Sequence, residues 1–317
     1  MKHRWIGRVE PEPLSEEELV QAVDAVLPGT DVKELRPMTG GFRNRNYQVG
    51  TGPTSRVLRI YAAGHRCAWK EQRLAELVSP EVDTPRYLDI AEVGDRVVAV
   101  REFVEGTALH EVLERSEGVD PDVWVGVGQT LASIHRIEFD ECGELDANLQ
   151  LTERFDVSGA GFAQYARRKL ETGPALQRLG TTVGDDVLRL LERHAHLIDA
   201  WGGVPVLMHS DFGPTNLVLA EAGHVSVLDW EFGCSGRPAL DFGNLMRPPL
   251  EDVEVAARGI AEGYRDGGGS LPDEWQQIAQ LVDLIAWVEF ASRPSAAELV
   301  IADARARIGA AVRRFGV

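Results

Sequence analysis

The segment Val206-Leu-Met-His-Ser-Asp-Phe-Gly-Pro-Thr-Asn-Leu-Val-Leu219 is the most informative part of this 317-residue sequence. Two apolar runs flank a polar loop, in which Gly213 and Pro214 favour a turn. Asp211 and Asn216 lie five positions apart on that loop. Because strands on both sides restrain such a loop, the pattern predicts a carboxylate and an amide oxygen held at a fixed separation.

A second carboxylate follows at a position that a hairpin would bring close. Val225-Ser-Val-Leu228 is a short apolar strand, and Asp229 comes directly after it. A hairpin of this size returns the chain alongside residues 217–220, so we expect Asp229 near Asn216. Phosphoryl transfer uses a carboxylate to orient the proton of the nucleophile and hard oxygen ligands to bind Mg²⁺. The pattern therefore predicts a catalytic Asp211 and a Mg²⁺ ion held by Asn216 and Asp229.

The string Asp-Phe-Gly occurs twice, at 211–213 and 241–243. The first copy lies in the loop described above, whereas the second lies beyond the end of the strand that leads to Asp229. This order predicts that Asp241 is a structural hydrogen-bond acceptor or a helix cap, not a metal ligand.

The first hundred residues have mainly strand-like patterns. A capping box at Ser15–Glu18 begins a helix that should end near Pro28-Gly29. Apolar and β-branched runs then predict strands, interrupted by one helix from about 67 to 78. The predicted strands are 47–49, 57–61, 86–90 and 97–103.

After Gly106 the patterns are mainly helical. Asp120-Pro121 provides an N-cap and a first helical residue for a helix that ends near His135. We therefore predict an α+β, bilobal protein, with an N-terminal antiparallel β-sheet lobe with a helix over residues 1–105 and a mainly helical catalytic and substrate-binding lobe over residues 106–317. The pattern of residues 140–185 is the least informative.

Composition restricts the partners and the compartment. The net charge of −17 disfavours nucleic acid, whose backbone requires Lys and Arg. It suits a cationic small molecule, although a general solubility charge explains it equally well. No apolar run approaches the roughly 18 residues that span a bilayer, and the first residues lack a hydrophobic signal core. We therefore expect a cytoplasmic protein with no membrane partner.

Several motifs in one order resemble a known family. His209–Asn216 is followed by Leu228-Asp-Trp-Glu-Phe232, then by Gly236-Arg-Pro238 and Asp241. This series resembles the aminoglycoside phosphotransferase family, which has the protein-kinase-like fold that choline kinases share. Weaker matches extend the resemblance over nearly the whole chain, at Gly40–Asn44, Val57–Arg59, Glu71 and Leu131–His135.

The resemblance implies a kinase that binds ATP or GTP together with Mg²⁺. Glycines let backbone N–H groups approach phosphates, and an arginine in place of the usual lysine can bind a phosphate and a glutamate together. The hinge backbone would bind the base, and His209 would orient the catalytic loop. Family members usually have Gly where this chain has Ser210. The residues assigned to the nucleotide are Gly40, Gly41, Asn44, Arg59, Glu71, Glu102 and Val104.

The substrate is the least determined part of the prediction. The acidic balance favours an aminoglycoside or another antibiotic, with Glu231, Asp283 and Glu289 as candidates for an acidic substrate pocket. Solvated helix faces explain the last two equally well. A metabolite kinase acting on choline, homoserine, thiamine or a sugar would keep the same motifs. A nucleotide-binding pseudokinase that acts as an interaction module is the alternative of another class, and Arg59 is its only support.

Overall fold

The computed structural model describes residues 14–38, 44–51, 54–115, 118–220, 223–250 and 253–316. The predicted phosphate-binding glycines, Gly40 and Gly41, lie outside these ranges. Helix α1 (Glu16–Val26) begins at the predicted capping box, in which Ser15 and Glu18 exchange hydrogen bonds between side chain and backbone. Helix α2 (Ala68–Val78) is the predicted second helix of this half.

A five-stranded antiparallel sheet forms the N-terminal part of the chain. Its strands follow the spatial order β1-β2-β3-β5-β4. They are β1 (Glu34–Met38), β2 (Arg45–Gly50), β3 (Ser55–Ile60), β4 (Tyr87–Val93) and β5 (Arg96–Glu102). The four predicted strands are confirmed as β2 to β5. Strand β1 was not predicted individually, because it is an edge strand with mostly exposed side chains and shows no apolar alternation.

Alternation along the strands gives the sheet two different faces. Leu58 and Ile60 of β3 pack with Val98 and Val100 of β5 beneath α1. Arg59, between the two β3 apolar residues, therefore points to the opposite face, towards α2 and the interior of the molecule. The register thus places a buried arginine, only 2% exposed, below the sheet.

The second part of the chain is mainly helical around one large apolar core. Its helices are α3 (Leu109–Glu114), α4 (Pro121–His135), α5 (Gly159–Thr172), α6 (Ala175–Leu179), α7 (Thr181–Arg193), α8 (Ala195–Ala200), α9 (Pro238–Leu245), α10 (Glu254–Asp266), α11 (Trp275–Ser292) and α12 (Glu298–Phe315). Asp120 caps α4 as predicted, since its carboxylate accepts a hydrogen bond from the backbone N–H of Asp122. No helix in the described ranges is both long and apolar enough to cross a lipid bilayer.

Two small sheets lie within this helical part. One contains β6 (Thr107–Ala108), β10 (Leu217–Leu219) and β11 (Val225–Val227), in the order β11-β10-β6. The other contains β7 (Gly143–Leu145), β8 (Leu151–Arg154), β9 (Val206–Met208) and β12 (Cys234–Gly236), in the order β8-β7-β12-β9. Antiparallel pairing of β10 with β11 confirms the predicted hairpin.

Candidate active site

The loop between β9 and β10 brings Asp211 and Asn216 into direct contact. The side-chain Nδ2 of Asn216 donates hydrogen bonds to the backbone oxygen and to Oδ2 of Asp211, both at 3.0 Å. The backbone of Asn216 also accepts a hydrogen bond from the N–H of Leu228 at 2.8 Å. The loop is thereby connected to the strand exit that carries Asp229.

Asp241 fixes the start of the loop from below. This fully buried carboxylate accepts hydrogen bonds from the backbone N–H groups of His209, at 2.8 Å, and Ser210, at 2.7 Å. Nε2 of His135, at the end of α4, lies 3.2 Å from the same carboxylate. The second Asp-Phe-Gly copy is thus a structural hydrogen-bond acceptor, as the order of the motifs predicted.

The His209 ring connects the two halves of the site. Nδ1 accepts a hydrogen bond from the backbone N–H of Asp211 at 3.2 Å, so Nε2 carries the proton that is shared with the carbonyl of Leu228 at 2.9 Å. The ring is fully buried and packs on Trp230. Both ring nitrogens therefore bind backbone groups, an arrangement that suits orientation of the loop.

Two residues of the site have left-handed backbone conformations. Ser210 has φ of 64° and Asp229 has φ of 67°. Such conformations cost non-glycine residues of the order of 1–3 kcal/mol and cluster at functional sites. At Ser210 this explains why the resembled family usually has glycine, which adopts positive φ at no steric cost.

Arg59 lies at the centre of a buried ion cluster beneath the sheet. Its guanidinium lies 2.8 Å from Oδ1 of Asp229 and 3.7 Å from Oε2 of Glu71. Burial alone would lower the pKa of Arg59, but the two carboxylates raise it well above its ordinary value. Burial would likewise raise the pKa of Asp229, but the charge of Arg59 keeps it below its ordinary value. The guanidinium and the Asp229 carboxylate are therefore both charged.

The same cluster has the donor set that a divalent cation needs. Glu71, Asp229 and Glu231 can each contribute one oxygen, and these oxygens lie within 4.8 Å of one another. Carboxylate oxygens are hard ligands of the kind that Mg²⁺ prefers, so the residues present fit that ion. Sequence reasoning chose Asn216 and Asp229 as ligands; it placed Glu71 with the nucleotide and Glu231 with the substrate.

Asn44 and Glu231 link the sheet to the strand exit. Nδ2 of Asn44 donates to Oε2 of Glu231 at 3.1 Å, and the same oxygen lies 3.4 Å from the Arg59 guanidinium. The Asn44 amide oxygen accepts from the backbone N–H of Ala62 at 3.2 Å. Glu231, predicted at the substrate pocket, therefore lies with the residues assigned to the phosphates.

Tyr87 and Cys67 belong to this region although sequence reasoning did not select them. The Tyr87 hydroxyl donates to Glu71 at 2.5 Å and the Cys67 thiol donates to it at 3.1 Å. Burial, together with Glu71, raises the pKa of both groups, so both remain protonated donors. The signal available in the sequence was the spacing of Cys67 and Glu71, since residues four apart on a helix share a face.

The chain segment after β5 forms one edge of the site. Phe103, Val104 and Gly106 line a cleft between the sheet and the helical part. The backbone N–H of Glu102 donates to the carbonyl of Arg86, and its side chain pairs with the guanidinium of that arginine. Val104 therefore lines the cleft, whereas the N–H and the carboxylate of Glu102 bind Arg86, the residue before β4.

One cleft of about 1050 Å³ contains the predicted catalytic residue Asp211 and the predicted metal ligands, whereas the buried His209 does not line it. Arg59, Asp211, Asn216 and Asp229 all line it. Its volume slightly exceeds the usual range of about 300–1,000 Å³ for small-molecule sites. The cleft is therefore large enough for a small-molecule ligand.

The two helical acids predicted for substrate binding also line the cleft, but each is paired internally. Asp283 is 9% exposed and accepts from Nε and Nη2 of Arg247 at 2.9 and 2.6 Å. It also accepts from the indole N–H of Trp287 at 2.7 Å. Glu289 lies 2.7 Å from Nζ of Lys169 and accepts from the Tyr165 hydroxyl at 2.7 Å.

Comparisons with known proteins agree with this architecture. The model of the phosphotransferase enzyme family matches residues 34–281. Aminoglycoside phosphotransferase APH(4)-Ia has a similar structure, with a TM-score of 0.73 and 19% identity over 96% of this chain and 100% of that chain. A thermostable mutant of that enzyme has been solved in ternary complex with AMP-PNP and hygromycin B.

Two further structures are similar. Spectinomycin phosphotransferase APH(9)-Ia, in complex with ADP and spectinomycin, has a TM-score of 0.63 and 13% identity over 94% of this chain and 95% of that chain. Macrolide 2'-phosphotransferase MphH from Brachybacterium faecium has a TM-score of 0.66 and 17% identity over 93% and 98%. No curated protein sequence matches the chain. At these identities the structures show a shared fold, which confirms the predicted fold class.

Proposed function

Because this chain belongs to the phosphotransferase enzyme family, we propose that it transfers the γ-phosphate of Mg²⁺-bound ATP to a hydroxyl of a small molecule. The observation that carries the proposal is the convergence of Asp211, Asn216 and Asp229 on one cleft beside the buried Arg59. Family membership gives the enzyme class; the acceptor, the nucleotide and the residue roles belong to the proposal.

Asp211 is the proposed catalytic residue. Its carboxylate accepts the Asn216 amide hydrogen and faces the cleft, so it can orient an acceptor hydroxyl and receive its proton. His209 fixes the backbone of that loop from the interior. Asn216, whose amide nitrogen binds Asp211, would offer its amide oxygen to the cation.

The nucleotide would lie between the sheet and the catalytic loop. Mg²⁺, when bound, neutralises charge that develops on the transferring phosphoryl group. Asp229, with Glu71 and Glu231 close by, would hold the ion, and Arg59 would bind the phosphates. We place the nucleotide base against the backbone near Val104. The predicted lobes, residues 1–105 and 106–317, would lie on either side of the nucleotide.

An antibiotic remains the proposed class of acceptor. Three of the similar structures are named as phosphotransferases of an aminoglycoside, of spectinomycin and of a macrolide. A metabolite with a hydroxyl would use the same catalytic residues.

The test is ADP release from Mg·ATP and Mg·GTP with a panel of antibiotic and metabolite alcohols, with products identified by mass. We expect acceptor-dependent ADP release that Asp211→Ala lowers by about 10²–10⁴-fold with little change in nucleotide affinity. Asp24→Ala, at an exposed position on α1, is the matched control. Tight Mg·ATP binding without turnover of any acceptor would favour the pseudokinase. Near-normal turnover in Asp211→Ala would remove this residue from its role.

A further inference from the structure

The part of the cleft formed by the helices differs in character from the part that contains the catalytic loop. We call it the acceptor end, and define it as the cleft-lining residues of β8, α5, α11, α12 and the segments that join them. Its walls are mainly apolar and aromatic. They include Phe155, Phe162, Ile285, Ala286, Phe290 and Val300.

Two acids of the acceptor end, Asp283 and Glu289, are bound to cations of the protein. Arg247 forms a two-nitrogen ion pair with Asp283 and lies over the rings of Trp287 and Phe290. Lys169 pairs with Glu289, and this pair lowers the pKa of Glu289 despite its burial. A cationic ligand would have to displace these internal partners to reach either carboxylate.

Further cations lie on the aromatic walls. The Arg168 guanidinium lies 5.2 Å from the ring centre of Tyr165, and the Arg293 guanidinium lies 4.8 Å from that of Phe290. Both arginines line the cleft. Positive charge at these positions repels an ammonium group. Because cations of the protein lie over the Tyr165 and Phe290 rings, the apolar surface for a ligand comes from the other wall residues, such as Phe155 and Phe162.

Two acids remain among the described residues of the acceptor end. Asp156 accepts from the backbone N–H and the hydroxyl of Ser158, and these bonds lower its pKa. Glu153 is exposed on β8. An ammonium group that leaves water without a partner costs several kcal/mol, so a ligand with four or five such groups needs more uncommitted carboxylates than this end provides.

We propose that the acceptor is a hydroxyl compound with an apolar body and at most one positive charge, not a polycation. The inference rests on the proposed function, since it concerns the acceptor of that reaction. The inference limits the proposed antibiotics to compounds that bind by apolar contact. It also means that the charge of the acceptor end does not follow the net charge of the chain.

The experiment compares acceptors that differ in charge. A macrolide with one amine, a polyamine aminoglycoside and the N-acetylated form of the same aminoglycoside are assayed for ADP release at low and high salt. We expect kcat/KM to be at least about 100-fold higher for the macrolide than for the aminoglycoside, with N-acetylation of the aminoglycoside raising its value. Equal or better turnover of the polycation would overturn the inference.

Binding keeps the inference testable even if no acceptor is phosphorylated. The affinity of the same three compounds is then measured by calorimetry in the presence of AMP-PNP and Mg²⁺. Absent turnover would count against the proposed function, whereas tighter binding of the macrolide would still support the acceptor class. Tighter binding of the polycation would overturn the class whatever the turnover.

Two variants locate the effect. Ala286→Phe fills the apolar wall, so macrolide affinity should fall by about tenfold or more while nucleotide affinity is unchanged. Arg168→Glu adds a carboxylate at the wall, so aminoglycoside affinity should rise by severalfold with strong salt dependence. Arg189→Glu, on α7 outside the cleft, is the control. Unchanged affinities in both test variants would place the acceptor elsewhere.

Discussion

The catalytic end and the acceptor end of the cleft are built in different ways. Asp211, Asn216 and Asp229 come from one hairpin and the loop before it, so contacts over short sequence distances bring these three residues together. Arg59 joins them from the distant strand β3. At the acceptor end Tyr165 and Glu289 are 124 residues apart in the chain. The three residues that carry the proposed chemistry are thus close in sequence, whereas the charge that an acceptor meets depends on how distant helices pack.

The largest expected effect concerns the support of the catalytic end. Asp241→Ala removes the acceptor of two buried backbone N–H groups, so we expect a loss of about 3–6 kcal/mol in the free energy of unfolding. Turnover should fall as the loop loses its anchor. Urea unfolding and ADP release measure the two effects. Asp241→Asn keeps one acceptor oxygen and should lie between alanine and wild type; a loss below about 1 kcal/mol in Asp241→Ala would show that the loop is fixed by other contacts.

The corresponding test at the acceptor end uses the buried pair of Asp283 and Arg247. Asp283→Leu leaves a buried guanidinium without its partner and should cost about 3–5 kcal/mol in unfolding free energy. The double variant Asp283→Leu with Arg247→Met should recover most of that loss, because no unpaired charge remains. Urea denaturation of both single variants and the double variant gives the coupling energy. If the losses of the two single variants simply add in the double variant, Asp283 and Arg247 do not stabilise the fold as a pair.

A smaller effect distinguishes backbone strain from side-chain contact in the catalytic loop. Both Ser210→Gly and Ser210→Ala remove the hydroxyl that contacts Cys234, but only glycine relieves the positive φ. We expect the glycine variant to be more stable than the alanine variant by about 1 kcal/mol, measured by thermal unfolding. A more stable alanine variant would show that the strain is absent.

The smallest effect is a pH dependence at the acceptor end. Although burial raises the pKa of Glu289, Lys169 and Tyr165 lower it below the ordinary 4.5. A carboxylate with a depressed pKa stabilises the fold above its ordinary pKa and loses that contribution as the pH falls through the folded value. At pH 6 the free energy of unfolding of the wild type should therefore exceed that of Glu289→Gln by about 0.5–1 kcal/mol. The difference should shrink in urea titrations as the pH falls below 4.5 and through the lowered pKa of Glu289; a constant difference would contradict the ion pair.

Elements with strong local signals were predictable. The capping box predicted the start of α1, and apolar, β-branched runs predicted β3 and β5. By contrast, β7 and β8 were not predicted, because each has three or four residues and is stabilised by pairing, including that of β7 with β12 far along the chain. Helix α6 was not predicted either, because its five residues are too few to show helical periodicity.

The candidate site divides in the same way. Spacing predicted that Asp211 and Asn216 would be close, and the hairpin predicted the position of Asp229. The partners of Asp283 and Glu289 were not predictable, since Arg247 lies just after α9 and Lys169 lies on α5, with no periodic relation to them. A sequence reports which residues carry charge, but tertiary packing decides which charges are neutralised.

Gly106 has a consequence for how the two halves of the molecule move. Its φ is 149°, and a Cβ atom there would lie 2.4 Å from the carbonyl oxygen of Leu219. The next two residues form β6, which pairs with β10 of the hairpin. The covalent crossing between the sheet and the helices is therefore clamped to the strand that follows Asn216. A rotation of the sheet about residues 103–105 would therefore leave the distance between this crossing and the catalytic loop unchanged.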